Sequence, residues 1–141
     1  MTANGTDPLS EEEQRAFTEG VLDLAREGRT APLLEMIDAG VSVDLANARG
    51  DTALILAAYR EHPETVAALL EAGANTGVVN EMGQTALIAA VFRKNEAIVR
   101  ALLHAGADPE LGAHTASEVA QQFGLADMQR ILAEHAAKPR D

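Results

Sequence analysis

The sequence predicts an all-α solenoid of four helix-turn-helix repeats joined by short hairpin loops, and three observations lead there. Gly40, Gly73 and Gly106 stand 33 residues apart, each preceded by Ala. The stretch Leu69-Leu70-Glu71-Ala72-Gly73-Ala74 returns as Leu102-Leu103-His104-Ala105-Gly106-Ala107. Likewise Gly50-Asp51-Thr52-Ala53-Leu54-Ile55 returns as Gly83-Gln84-Thr85-Ala86-Leu87-Ile88. A fixed period of this length means one helical unit copied along the chain, each copy covering the apolar face of the next.

The elements follow in order. Residues 1–9 lack periodicity and hold Gly5 and Pro8, so a flexible lead-in is expected. Ser10-Glu11-Glu12-Glu13 reads as a capping box, in which the serine oxygen accepts from the Glu13 amide and the Glu13 carboxylate reaches back. A helix from about Ser10 to Glu27 carries Phe17, Val21, Leu22, Leu24 and Ala25 at helical spacing and stops at Gly28. Thr30 is expected to cap the second helix, where Leu33, Leu34, Met36 and Ile37 face inward before Gly40.

The second unit starts near Asn47 and the third near Asn80, with Thr52 and Thr85 opening short helices. Their Ala57-Ala58 and Ala89-Ala90 pairs let neighbouring backbones approach. The return helices show apolar stripes, Val66, Leu69 and Leu70, then Ile98, Val99, Leu102 and Leu103. Pro63 fits the first turn of its helix, where a missing amide costs little. In the fourth unit Thr115 follows Thr85 by 30 residues instead of 33, so its hairpin is shortened. Gln121, Gln122, Gln129, Glu134 and His135 suit a solvent-facing terminal cap. The repeats are expected at about 10–46, 47–79, 80–112 and 113–136, one domain over 10–136, with a fraying tail at 137–141.

The 141 residues contain no cysteine, which removes disulfides and thiolate chemistry. With 22 acidic against 11 basic residues, the formal charge of −11 disfavours nucleic acid and anionic membrane surfaces. The N-terminal residues show no basic start and no apolar core, and no apolar run approaches the roughly 20 residues of a membrane helix. A cytoplasmic monomer is the expectation.

Gly-x-Thr-Ala-Leu, the Ala-Ala pair and Leu-Leu-x-x-Gly-Ala at a 33-residue period resemble ankyrin repeats, in particular small stand-alone bacterial ones. The family usually has Gly-x-Thr-Pro-Leu-His; here Ala53 and Ala86 replace Pro, and Ile55 and Ile88 replace His. Apolar contacts from the two isoleucines are expected in place of the hydrogen bonds that His would bring. The glycine common after the first helix survives as Gly28 and Gly124 but is Glu61 and Lys94 in the inner repeats. A non-glycine at positive φ there would cost about 1 kcal/mol. His62 matches a position where the family often carries a helix-start histidine.

The resemblance implies a non-catalytic protein-binding module without cofactor or metal. His62, His104, His114 and His135 lack any pairing at metal-ligand spacing, and Glu11-Glu12-Glu13 reads as a solvated helix start. No phosphate-binding glycine loop or nucleophile elbow occurs, and a fully buried interior is expected to leave no cleft. The chain's four aromatics are Phe17, Tyr59, Phe92 and Phe123, and the last three end the first helix of successive repeats. In the family that place lines the concave groove. Arg60 and Arg93 follow Tyr59 and Phe92, giving a basic ladder beside aromatic contacts, the residue types enriched at binding hot spots. The hairpin tips add Arg49 and Asp51, then Glu81, Met82 and Gln84. The expected partner is a protein with acidic groups. Two alternatives stay open: the aromatics pack on the next repeat while the arginines pair with Glu61, Glu64 or Glu96, or the chain is an accessory regulator or inhibitor of an enzyme or toxin. Some of the small bacterial proteins that the chain resembles are associated with stress-response enzymes such as catalase and others with toxin neutralisation, which implies an acidic exterior covering a basic site.

Overall fold

The structure is a computed structural model and describes residues 8–137. Of the expected lead-in at 1–9 and tail at 137–141, residues 1–7 and 138–141 lie outside the described residues, and Ala137 belongs to the last helix. Eight α-helices are present among these residues, with no strand: α1 (Glu11–Arg26), α2 (Thr30–Asp38), α3 (Ala53–Tyr59), α4 (Pro63–Glu71), α5 (Ala86–Phe92), α6 (Glu96–His104), α7 (Ala116–Gln122) and α8 (Ala126–Ala137). None of them is long and apolar enough to cross a membrane.

The helices pair as α1–α2, α3–α4, α5–α6 and α7–α8, and the pairs stack into two rows. The odd-numbered helices pack in the order α1, α3, α5, α7, and the even-numbered ones in the order α2, α4, α6, α8. Almost every residue of α3 and α5 is buried, including the two Ala-Ala pairs, because those helices are enclosed on three sides. Small side chains are what permit this approach of backbones. The outer helices bury one stripe each: Thr65, Val66 and Leu69 in α4, and Ile98, Val99, Leu102 and Leu103 in α6. The result is one continuous apolar core threading all four pairs.

Helix starts obey the capping chemistry read from the sequence. Ser10 Oγ accepts from the Glu13 amide at 3.1 Å, while the Ser10 amide donates to Glu13 Oε1 at 2.9 Å. Thr52 and Thr85 accept from the amides of Ile55 and Ile88. Thr115 does the same for Glu118, whose carboxylate accepts from the Thr115 amide, so α7 has a second capping box.

Thr30 departs from expectation. Arg29 occupies the cap position of α2 without a side-chain bond, and Thr30 is the first helical residue. Its hydroxyl lies 2.7 Å from that of buried Thr65, tying α2 to α4 instead of closing its own helix. Within α2 only Leu33 is fully buried, since this pair has a neighbour on one side only among the described residues; Leu34, Met36 and Ile37 are half-buried. In the last pair, His135 is half-buried, whereas the glutamines and Glu134 are exposed.

Glu61 and Lys94 adopt φ of 62° and 58°, the left-handed conformation that their place in the repeat requires. Replacing Lys94 by Gly is expected to raise stability by up to about 1 kcal/mol in urea unfolding, because relief of the Cβ clash exceeds the added freedom of the unfolded chain. Glu61→Gly gains nothing comparable, since the Glu61 carboxylate is engaged across repeats.

Candidate functional site

Three short hairpins join the helix pairs along one edge, and two of them are built by an asparagine. Asn47 Oδ1 accepts from the amides of Arg49 and Asp51 at 3.0 and 3.1 Å. Asn80 Oδ1 accepts from Met82 and Gln84, each at 2.9 Å. Side-chain amides of this kind curl the backbone locally. Successive tips are then stitched by main-chain bonds, Glu81 N–H to Arg49 O at 2.8 Å and Ala113 N–H to Gly83 O at 3.0 Å. Asn80 Nδ2 also donates to Asp51 Oδ1 at 2.8 Å. The equivalent Asn47 Nδ2 is buried and has no partner among the described residues. The recurrence of Asn at 47 and 80 was the available signal for this device, and residue-type reasoning alone did not extract it.

Between the tips and the odd-numbered helices runs an open groove of about 670 Å³. Arg49, Asp51, Glu81, Met82 and Gln84 line it from the tips, and Tyr59, Arg60 and Phe92 from the ends of α3 and α5. The trough lies on the surface between the tips and the helix row, outside the continuous core that the helices close. Arg26, Ile55, Leu56, Asn80 and Ala89 also line it, and sequence reasoning did not place them there. A second hollow of about 290 Å³ holds Phe123 together with Met82, Gln84 and Phe92, so the two are adjacent and share three side chains.

The aromatic row is exposed: Tyr59 at 42%, Phe92 at 51% and Phe123 at 57%. It is also cross-linked, since the rings of Phe92 and Phe123 meet edge to face with centroids 6.0 Å apart. Met82 is 75% exposed, the most of any large apolar side chain among the described residues.

The arginines are not equivalent. Arg93 lies over the Tyr59 ring, 5.3 Å from its centroid, and donates to Glu61 Oε2 at 2.9 Å. Arg49 Nε is 3.4 Å from Asp51 Oδ2. Arg60 makes no ion pair with any described residue. The expected ladder thus contains one uncommitted guanidinium and one that clamps neighbouring repeats together. Tyr59, Arg60 and Phe92 line the groove and Phe123 the second hollow, whereas Arg93 lines neither and packs between neighbouring repeats.

Hydrogen bonds from Arg93 and then Asn95 hold the Glu61 carboxyl below its ordinary pKa. A depressed carboxyl stabilises the fold above the unfolded pKa of about 4.3, and the contribution is lost as pH falls through the folded value. The stability gap between the native chain and Glu61→Gln is expected to be present at pH 7, at most about 1 kcal/mol for so solvated a pair, and to close toward pH 3. Urea midpoints across that range measure it.

His62 serves the scaffold. Its Nε2 lies 2.8 Å from the Arg26 carbonyl oxygen, which can only accept, so the ring donates and joins the end of α1 to the start of α4. No cluster of three or more metal-ligating side chains occurs among the described residues.

The family model described as ankyrin repeats (3 copies) matches residues 22–113, more than half of the chain. A curated Pseudomonas aeruginosa protein named as an ankyrin repeat protein is 36% identical over 59 residues, covering 42% of this chain. The match spans 34% of that relative's length, so the chain accounts for about a third of the curated protein it resembles. Ankyrin repeats are generally protein–protein interaction modules and generally non-catalytic. Two rows of stacked helix pairs, threonine-capped inner helices and tips stitched at a 33-residue period agree with that match: this chain belongs to the ankyrin repeat family.

Proposed function

We propose that the chain is a non-catalytic binding module whose working unit is residues 10–136 and whose groove takes a protein partner carrying acidic groups. The observation behind this reading is convergence: residues from two hairpin tips and two helix ends, distant in sequence, line one trough. Exposed aromatic and methionine surface sits there beside Arg60. Of the three arginines around it, Arg26 is paired with Glu19 and Asp23 and Arg49 with Asp51, which leaves Arg60 as the groove's unpaired cation among the described residues, in a chain whose formal charge is −11. One unpaired guanidinium beside apolar surface in an otherwise anionic body favours an acidic segment there over the rest of the surface.

The competing reading, a regulator or inhibitor that covers a basic enzyme or toxin surface, draws on the same net charge but uses the outer helices. Parallel affinity capture from the source cells with three baits separates the two. Arg60→Glu is expected to lose the proteins that the native chain retains, by tenfold or more, with an unchanged melting temperature. Glu64→Arg plus Glu71→Arg, on the exposed face of α4, is expected to retain them. The reverse pattern would favour the acidic-surface reading and sink the groove.

A further inference from the structure

The shortened fourth hairpin leaves an unfilled place. Tip residues Glu81 to Gln84 share the trough with the ends of α3 and α5, whereas the connection before α7 is three residues shorter and is tied to the third unit's tip through Ala113 N–H and Gly83 O. Gly112 and Gly83 press together there: a Cβ on Gly112 would stand 2.7 Å from Ile88 Cδ1 and 2.8 Å from Gly83 O. What remains is the 290 Å³ hollow between Met82 on one side and Phe92 and Phe123 on the other, with Ile88 and Val119 buried beneath. No carboxylate, lysine or arginine lines it.

We infer that this hollow is a socket for one bulky apolar side chain of the partner, and that the partner is an extended segment bearing a carboxylate four or five residues away for Arg60. The inference rests on the groove reading above and adds the chemistry of the ligand. Size decides against a metabolite: small-molecule pockets run from roughly 300 to 1,000 Å³ and enclose their ligand, whereas this hollow of about 290 Å³ is open at the surface beside the trough. Charge decides the polarity of the segment, since the socket's walls are mainly apolar, with Gln84, Gln122 and His114 as their polar members, while the far end of the trough holds Arg60. Distance decides the spacing. Arg60 belongs to the second helix pair and the socket lies between the third and fourth, about 15 Å at the usual helix separation, which an extended chain covers in about four or five residues. The edge-to-face pair of Phe92 and Phe123 holds the wall in place before the ligand arrives, so less ordering accompanies binding.

The test is selection of a phage-displayed random dodecapeptide library on the full chain, followed by fluorescence anisotropy with the enriched peptides. Enrichment of Phe, Leu, Met or Trp with Asp or Glu four or five positions away is expected. Replacing the peptide's apolar residue by Ala should weaken binding to the native chain by tenfold or more, yet change little on Phe123→Ala or on Gln122→Trp, an exposed position chosen to plug the socket without touching the core. Arg60→Glu should abolish dependence on the acidic residue alone. Peptides that respond to Arg60→Glu but not to either socket variant would overturn the socket and leave the groove standing. Peptides indifferent to all three variants, or no enrichment at all, would overturn both.

Discussion

Leu69→Ala is expected to lower the free energy of unfolding by about 2–5 kcal/mol, the range for truncating a fully enclosed leucine. Leu69 has no solvent exposure and sits in α4, which touches α2, α3 and α6. The void opens where three helices converge, and each is held by packing on its neighbours, so none can move in without losing contact elsewhere. Because a stack of this kind is coupled only between adjacent units, the damage also severs the first pair from the third and fourth. Urea unfolding should show both a lower midpoint and a shallower transition. Leu34→Ala, at a half-buried position of the first pair, serves as the reference and should cost clearly less. Equal losses at the two sites would mean that inner and terminal pairs are packed alike.

Gly112→Ala is expected to cost about 2–6 kcal/mol, from two additive causes. A φ of 108° is a conformation that side-chain-bearing residues rarely adopt, worth about 1–3 kcal/mol. The added methyl would also meet Ile88 and the Gly83 carbonyl, and overpacking adds about 1–3 kcal/mol because that oxygen is fixed by the Ala113 amide. Gly73→Ala separates the causes. Its φ is 91° but a Cβ there meets nothing within 4 Å, so only the conformational cost should appear. Thermal or urea unfolding of the two variants side by side gives the difference as the clash of Gly112 with Gly83 and Ile88.

Helices and their caps were legible because they depend on residues close in sequence and on a period that repeats. Ser10 with Glu13, Thr52 with Ile55 and Thr85 with Ile88 are all local pairs three residues apart. The positive φ of Glu61 and Lys94 was legible for the same reason, since the place in the repeat dictates the backbone whatever side chain stands there. The gathering of Arg49, Tyr59, Arg60, Met82 and Phe92 around one trough also follows from the period, which sets which tips and helix ends share an edge. Choices among distant partners were not legible. Arg93 had Glu61, Glu64 and Glu96 within plausible reach, and only the approach of the third helix pair to the second selects Glu61. Thr30 looked like a cap by its type, but a hydroxyl facing it from Thr65 offered a better partner 35 residues away. The shortened hairpin was visible as a count; the hollow it leaves required the geometry of Gly83 and Gly112.

The asparagine bonds at the tips run to main-chain amides, which every residue but proline possesses. Ala48, Arg49, Glu81 and Met82 can therefore be exchanged for almost anything while the loop keeps its shape. Inheritance can rewrite what the edge recognises one letter at a time, with the supporting body indifferent to each revision, and descendants of a single ancestor can diverge in their choice of companion long before they diverge in architecture.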